Sequence, residues 1–304
     1  MTNSSDIAEI LKLLPKAYFT EKDSADVVIG QNINSKNKRL QEVMACITSH
    51  LHAVVKEVEP TQEEWMKAIM FLTATGHKSD DWRQEFILLS DVLGVSMLVD
   101  AVNSRRPDGA SENTVLGPFH IGGTPEYPMG TNICLDGKGE DMVVRGRVLD
   151  VEGNPLSGVK IDVWQANDEG FYDVQQKGIQ PDFNLRGVFR TSEDGTYWFK
   201  AVRPQHYSIP DDGPVGELLY ALGRHPYRPA HLHYIVSKEG YDEVTTHIFD
   251  PDDIYINNDA VFGVKESLIA DFVKIEDRAK ISEMGFDGSF YWQVDYDFVL
   301  AATP

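Results

Sequence analysis

The sequence predicts a mostly β protein with an α-helical N-terminal part, and three observations lead to that prediction. Within the first hundred residues, apolar side chains recur at three- and four-residue steps, as in amphipathic helices. Near residue 105 the chain becomes dense in Pro, Gly, Asn and Ser, which is a loop composition. Beyond Asp141, short runs of alternating apolar and polar residues indicate strands. We therefore expect a helical linker or dimerisation domain over residues 1–105 and an antiparallel β-sandwich over residues 106–304.

Two amphipathic helices are predicted first. One begins near Arg39 and ends before Pro60, because proline cannot continue a helix. The next starts at Thr61, whose hydroxyl and Glu64 form a capping-box pattern, and stops at Gly76. The apolar positions are Leu40, Val43, Met44, Ile47, Leu51, Val54, Val55 and Val58 in the first helix, and Trp65, Ile69 and Leu72 in the second.

A third helical run, from Asp81 to about Val102, is apolar over much of its circumference, so we expect it to be buried on more than one side. Gly94 within it allows either close helix approach or a break. Two interpretations of the whole segment stay open here: a plain helical subdomain, or a helical dimerisation element.

The second part of the chain contains short strand-like runs separated by turns. Valine, isoleucine and aromatic residues alternate with polar ones in several of them, which favours sheets with one buried face. The predicted strands lie within residues 142–150, 159–167, 195–202, 230–250 and 290–301.

The amino-acid composition argues against several classes of binding partner. The formal net charge of −20 disfavours nucleic acid, since phosphate binding depends on Lys and Arg. The N-terminal residues lack the pattern of a signal peptide and no long apolar stretch follows, so we expect a cytoplasmic protein without membrane association. Cys46 and Cys134 are far apart and form no CxxC, so neither a disulfide framework nor a cysteine metal site is indicated.

The pair His231 and His233 lies in a strand-like run, where residues two apart point to the same face. Such a pair can bind a metal, or it can be two hydrogen-bonded structural histidines on a half-buried strand. Arg228 lies three positions before the first histidine and is biased toward an extended backbone by Pro229.

Tyr172 and Tyr207 both lie in turns or loops near the predicted strands. Taken alone, each is more typical of packing than of metal binding. A phenolate ligand requires a hard, highly charged cation, because the free phenol has a pKa of about 10. Ferric iron meets that requirement.

Several longer motifs occur together in one order. They are ENTVLGPFH, DVWQANDEGFYD, GTYWFKAVRPQHYSIPDDGPVG, GRHPYRPAHLHY, TTHIFD and VFGVKESL. With these motifs the chain resembles the intradiol ring-cleaving dioxygenases, non-haem ferric enzymes that open catechols between their two hydroxyls. The segment RQEFILLSDVLGVSMLVDAVN is similar to the branch of this family that cleaves hydroxyquinol. The resemblance extends from about Phe19 to the last strand and makes residues 106–304 the catalytic domain.

The resemblance implies roles for individual residues. Tyr172, Tyr207, His231 and His233 match the Fe(III) ligands, and Arg228 matches the arginine that stabilises charge on the substrate. The implied pocket residues are Leu88, Asp91, Val115, Gly117, Pro118, Phe119, Ile209, Pro210, Arg228 and Val261. His247 departs from the glutamine of many members, and its role is open because the charge of a histidine depends on pH.

The implied reaction is cleavage of an aromatic diol or triol with O2. Tyr207 leaves the metal and acts as a general base while Tyr172 stays bound. Asp91 favours hydroxyquinol (benzene-1,2,4-triol), giving 3-hydroxy-cis,cis-muconate, the tautomer of maleylacetate, because its carboxylate can accept a hydrogen bond from a third hydroxyl. By the same resemblance we expect a homodimer formed through the helices, with a phospholipid-like ligand at the interface.

Three alternatives stay open at this point. The enzyme could be a catechol or chlorocatechol 1,2-dioxygenase, for which the apolar residues of the pocket are equally suitable. His231 and His233 could instead form a ferrous facial triad with Asp250 or Asp242. A non-catalytic, prealbumin-like binding sandwich would leave both histidines structural.

Overall fold

A computed structural model describes residues 18–81 and 83–303, and the chain divides into two compact units between Thr73 and Ala74. We call residues 18–73 the helical unit and residues 74–303 the β unit. The helices within residues 85–103, which the sequence pattern grouped with the N-terminal helices, belong to the β unit by their contacts.

The helical unit contains α1 (Ser24–Gln31), α2 (Lys38–Val58) and most of α3 (Gln62–Lys78). The predicted capping box is confirmed, since Thr61 N donates to Glu64 Oε2 at 2.8 Å and Glu64 N donates to Thr61 Oγ1 at 3.2 Å. Helix α1 was not predicted, and α3 continues past Gly76 to Lys78. The amphipathic stripe of α2 is exposed at Leu40, Met44, Ile47, Leu51, Val54, Val55 and Val58.

The third predicted helix is two helices in the structure, α4 (Glu85–Val92) and α5 (Val95–Asn103). They are separated at Gly94, whose φ of 72° lies in the left-handed region that glycine adopts without steric cost. Glycine here therefore breaks the helix. The expected burial on more than one side was wrong for this chain by itself, because Phe86, Ile87, Leu93, Val95, Leu98, Val99 and Val102 are exposed. Trp82, near the predicted start, lies outside the described residues.

The strands are β1 (Asp141–Asp150), β2 (Lys160–Gln165), β3 (Arg186–Arg190), β4 (Thr196–Val202), β5 (Tyr207–Ser208), β6 (Tyr227–Arg228), β7 (His231–Ser237), β8 (Val244–Phe249), β9 (Phe272–Ile275), β10 (Tyr291–Asp295) and β11 (Phe298–Leu300). Two short helices, α6 (Pro214–Ala221) and α7 (Arg278–Glu283), lie between strands. Each predicted strand run contains at least one of these strands, whereas β3, β5, β6 and β9 were not predicted.

The strands form two larger sheets and one short β5–β6 pair. The order β3-β2-β7-β8 is antiparallel throughout, as predicted. In the other sheet β1 pairs antiparallel with β4 but parallel with β10 and β11, so the prediction of a purely antiparallel fold was wrong there. Parallel pairing arises because β10 and β11 come from the distant end of the chain and add to β1 in the same direction.

One hydrophobic core contains residues from both of the larger sheets. It contains Val144 of β1, Ile161 of β2, Phe199 of β4, Tyr234 of β7 and Phe298 of β11, each 0% exposed. On β7 the core residues Leu232, Tyr234 and Val236 follow the two-residue period of a pleated strand. Strands β2, β7 and β8 all contribute residues to this core, and β7 and β8 also carry the histidines described next. Within the described residues, each helix is too short or too polar to cross a membrane.

Candidate metal centre

Three buried histidines lie on adjacent strands β7 and β8. His231 and His233 are two apart on β7, and His247 is the direct partner of His233 on β8. One nitrogen atom of each imidazole lies within 4.8 Å of the corresponding atoms of the other two. The strand pairing also places Trp164 of β2 opposite His233, where its ring stacks on the imidazole with centroids 4.8 Å apart. This stacking fixes the ring plane of His233.

The free nitrogen atoms of His231 and His233 converge. His231 Nδ1 donates to Pro229 O at 2.6 Å, which fixes its tautomer and leaves the Nε2 lone pair free. That Nε2 lies 3.1 Å from His233 Nε2, which in turn lies 2.9 Å from the Tyr172 hydroxyl. Burial, with the nearby Arg228, lowers the pKa of His231 to about 3, and burial lowers the pKa of His233 well below its ordinary value. Both imidazoles are thus neutral and have the protonation state of metal ligands.

The two predicted tyrosines lie beside the histidines. Tyr172 follows β2 and is 1% exposed, whereas Tyr207 lies on β5 and is 7% exposed. Their ring centroids are 5.4 Å apart. Phe119 stacks on Tyr172 at 4.5 Å between centroids and contacts the edge of Tyr207. Burial is the largest cause that raises the pKa of Tyr172 well above its ordinary value. A phenolate at this position therefore requires a cation close by.

Arg228 on β6 is the paired neighbour of Tyr207 and is 2% exposed. Its Nη1 lies 3.5 Å from both the Tyr207 hydroxyl and His231 Nε2, and Nη2 lies 3.4 Å from His247 Nδ1. The guanidinium also makes two contacts of 3.2 Å to both carboxylate oxygens of Asp259. Burial alone would lower the pKa of Arg228, but the facing Asp259 raises it above its ordinary value.

Asp259 is a site residue that the sequence analysis missed. Besides Arg228, its carboxylate accepts the backbone N–H of Val261 at 3.2 Å and of Gly263 at 2.9 Å. Burial alone would raise the pKa of Asp259, but Arg228 and these donors hold it below its ordinary value. The buried guanidinium is therefore neutralised and fixed in direction. In the sequence, an aspartate 31 positions after an arginine carries no signal of this contact.

The predicted pocket residues fall into two groups by their contacts. Leu88 of α4 packs with Ile209 and Val261 in one apolar cluster. Asp91, also on α4, is half-buried, and its carboxyl lies close enough to Arg228 and Asp259 for both to influence its pKa. The largest influence is burial, which raises the pKa of Asp91.

In the second group, the segment from Val115 to Phe119 approaches β7 at Gly117. A Cβ at Gly117 would lie 2.9 Å from His233 Cε1, and its φ is 75°, so only glycine fits without strain. Val115 is half-buried, and Pro118 is exposed in this structure. Pro210, next to Ile209, is also exposed.

The contacts of the carboxylates argue against a ferrous facial triad. Across the described residues, clusters of three or more His, Cys, Asp or Glu suited to a metal reduce to His231, His233 and His247, without a carboxylate. Asp250 forms an ion pair with Arg203 at 2.6 Å and 3.0 Å through both of its oxygens. The donor set that converges is instead two imidazole nitrogens with tyrosine oxygens, a combination that suits iron.

Comparisons with known proteins agree with this chemistry. Residues 121–302 match the family described as "Dioxygenase", and residues 37–111 match "Catechol dioxygenase N terminus". The protein is thus a dioxygenase by both its fold and its sequence. More narrowly, the chain belongs to the intradiol ring-cleavage dioxygenases, a family that depends on non-haem iron. This membership removes the non-catalytic binding module from the alternatives.

Individual relatives differ in their similarity. The hydroxyquinol 1,2-dioxygenase of Rhizobium sp. (strain MTP-10005) is 67% identical over 93% of this chain and 96% of its own length. The crystal structure of hydroxyquinol 1,2-dioxygenase from Pseudomonas putida DLL-E4 has a TM-score of 0.88 at 46% identity, covering 93% of this chain and 99% of that chain. The wild-type catechol 1,2-dioxygenase structure from Acinetobacter radioresistens has a TM-score of 0.78 at 28% identity, covering 94% of each chain.

Proposed function

We propose that Tyr172, Tyr207, His231 and His233 bind Fe(III), and that the protein cleaves hydroxyquinol with O2 to 3-hydroxy-cis,cis-muconate, the tautomer of maleylacetate. The position of Asp91 carries the choice of substrate: a half-buried carboxyl in the pocket wall, near Arg228. The 67% identity to a hydroxyquinol 1,2-dioxygenase supports the same choice.

The residues fit ferric iron. Two neutral imidazoles face two tyrosines, and two phenolates would offset most of the charge of a trivalent cation in a buried place, where an isolated charge is costly. Bound there, ferric iron supplies the Lewis acidity that lets a chelated catechol react with O2 without an organic cofactor.

The neighbouring residues then act on the substrate. Tyr207, on the two-residue strand β5, is the tyrosine that the family resemblance implies would leave the metal and accept a substrate proton as a general base. Tyr172 is held by its stacked neighbour Phe119. Arg228, fixed by Asp259, directs donors toward negative charge that develops on the substrate.

His247 acts beside Arg228. Burial, together with His233 and His231, holds the pKa of His247 well below its ordinary value, so the ring is neutral near pH 7. Its Nδ1 accepts a hydrogen bond of 3.4 Å from the Arg228 guanidinium. We propose that this contact helps to fix the Arg228 side chain.

Discrimination between substrates depends on the third hydroxyl. All catechols share the two vicinal hydroxyls, so the wall that faces the rest of the ring must distinguish them. A triol can bond to the Asp91 carboxyl in addition to the side chain of Ser96, whereas an unsubstituted catechol offers this acceptor no partner, at a cost of about 1 to 3 kcal/mol. The apolar side chains of Leu88, Val115 and Val261 would also suit a catechol or a chlorocatechol, so a catechol or chlorocatechol 1,2-dioxygenase is the alternative.

The test is the ratio of kcat/KM for benzene-1,2,4-triol to kcat/KM for catechol. We expect the triol to be preferred, and Asp91→Ala to lower the ratio by roughly ten- to a hundredfold. Asp100→Ala is a matched control, because this half-buried carboxylate on α5 pairs with Lys265 at 3.8 Å. A wild-type enzyme that treats both substrates equally, or prefers catechol, contradicts the role of Asp91.

Four further parts belong to the same proposal. The exposed apolar stripe of α2 supports a homodimer through the helices, with a phospholipid-like molecule at the interface.

The shared core of the two larger sheets supports the prealbumin-like sandwich. Two free thiols, Cys46 and Cys134, are compatible with the reducing cytoplasm. The proposed substrates are an aromatic diol or triol and O2.

A further inference from the structure

Arg224 connects two separate parts of the proposed substrate pocket. It follows the end of α6, where its backbone N–H donates to Leu219 O at 2.8 Å. From there its Nη1 donates to Val92 O at 2.6 Å, and its Nη2 donates to Ala260 O at 2.9 Å. The residue is therefore fixed at its backbone and at both terminal nitrogens of its guanidinium.

The two carbonyl oxygens that accept from Arg224 belong to opposite walls of the proposed pocket, α4 and the segment 259–263. Val92 is the last residue of α4, where backbone carbonyls lack an intrahelical partner, and it directly follows Asp91. Ala260 lies between Asp259, which holds Arg228, and Val261, which lines the apolar wall. A single guanidinium thus bridges the helix that carries Asp91 and the segment 259–263.

Phe262 supports the same bridge from outside. The Arg224 guanidinium lies over its ring at 4.9 Å, and the ring lies 3.4 Å from the position of a Cβ on Gly94, just after α4. The φ of Phe262 is 59°, a conformation that a bulky residue keeps only when its surroundings hold it. These contacts supply that restraint.

The segment 259–263 is held at two points. Asp259 anchors it to Arg228 on the metal side, and Ala260 O anchors it to Arg224 on the α4 side. Removal of the Arg224 side chain would leave the contact of Asp259 with Arg228 in place. The distance between α4 and the segment 259–263 would then no longer be fixed. A mutation at Arg224 can therefore change the width of the proposed pocket without disturbing the proposed metal centre.

We propose that Arg224 is a positioning residue for substrate specificity, which sets the distance between α4 and the segment 259–263 and so places Asp91 against the third hydroxyl of the ring. The inference rests on the proposed function. Arginine suits this role better than lysine, because its planar fork can donate to two carbonyls in a fixed geometry, whereas lysine is a point charge on a flexible stem.

The experiment compares Arg224→Met and Arg224→Lys with the wild-type holoenzyme. We expect the triol-to-catechol ratio of kcat/KM to fall about tenfold in Arg224→Met and less in Arg224→Lys, while iron content and the visible spectrum stay unchanged. Arg190→Met is the matched control, since this exposed arginine also donates to a backbone carbonyl, Gly158 O, and pairs with Glu126.

Amide hydrogen exchange supplies a second readout that does not depend on activity. Exchange in peptides covering residues 85–94 and 259–263 is expected to quicken in Arg224→Met and to stay unchanged in Arg190→Met. An unchanged ratio, or unchanged exchange in these peptides, overturns the inference. A wild-type enzyme that opens neither ring overturns the proposed function instead, and the exchange measurement then still decides whether Arg224 holds the two walls.

Discussion

The helical unit and the two larger sheets of the β unit use apolar residues in opposite ways. In the sheets, Val144, Phe199 and Tyr234 are 0% exposed and lie in one core. In the helical unit, Leu51 is 60% exposed and Val58 is 66% exposed, although both follow a regular helical stripe. An amphipathic pattern therefore predicts a helix and one apolar face, and it does not identify what covers that face.

The proposed catalytic site and the proposed association surface lie in different units. The proposed metal ligands all lie in the β unit, where neighbouring strands and stacked rings fix them. The exposed stripe of the helical unit supports the proposed homodimer, because contiguous exposed apolar surface is typical of interaction sites. Mutations in the two units are expected to affect different measurements.

The largest effect is expected in the β unit at Tyr207. Tyr207→Phe removes a proposed ligand and general base, so kcat should fall by about 10²- to 10⁴-fold, with a changed visible band. Tyr220→Phe is the control, because its hydroxyl bonds to Asp211 at the surface. Absorption spectroscopy and steady-state kinetics provide the measurement. A Tyr207→Phe enzyme with the wild-type spectrum and rate would show that Tyr207 is not a ligand.

A smaller effect is expected on the free energy of unfolding, measured for one apolar residue in each unit. Phe199→Ala opens a cavity in the core and should lower the free energy of unfolding by about 3–5 kcal/mol. Leu51→Ala removes an exposed side chain and should change it by about 0.5 kcal/mol or less in the monomer. Denaturant unfolding at low protein concentration measures both. Equal losses would mean that the stripe is buried within the chain in solution.

The smallest effect on the folded monomer, and the most specific one, concerns assembly. Leu51→Glu places a charge in the stripe and should convert the proposed homodimer into a 34.1 kDa monomer in analytical ultracentrifugation. Glu57→Gln, on the same helix but outside the stripe, should leave the dimer intact. Wild-type protein that sediments as a monomer at micromolar concentration would refute the assembly.

Sequence alone determined much of this molecule, and local periodicity is the reason. Alternation placed His231 and His233 on one face of a strand, and the structure has both on β7. Three- and four-residue steps predicted α2, and the capping box at Thr61 predicted the start of α3. Such patterns involve residues a few positions apart, where the backbone period fixes the direction of each side chain.

Only the tertiary structure decided the contacts between distant residues. Arg145 of β1 pairs with Asp295 of β10 across 150 positions, and this parallel pairing had no local signal. The ion pair of Arg228 with Asp259 was not predicted for the same reason, because the sequence does not show whether an aspartate is buried or exposed. Whether a side chain meets a charge, a ring or water depends on which strands and loops fold together, and sequence spacing does not contain that information.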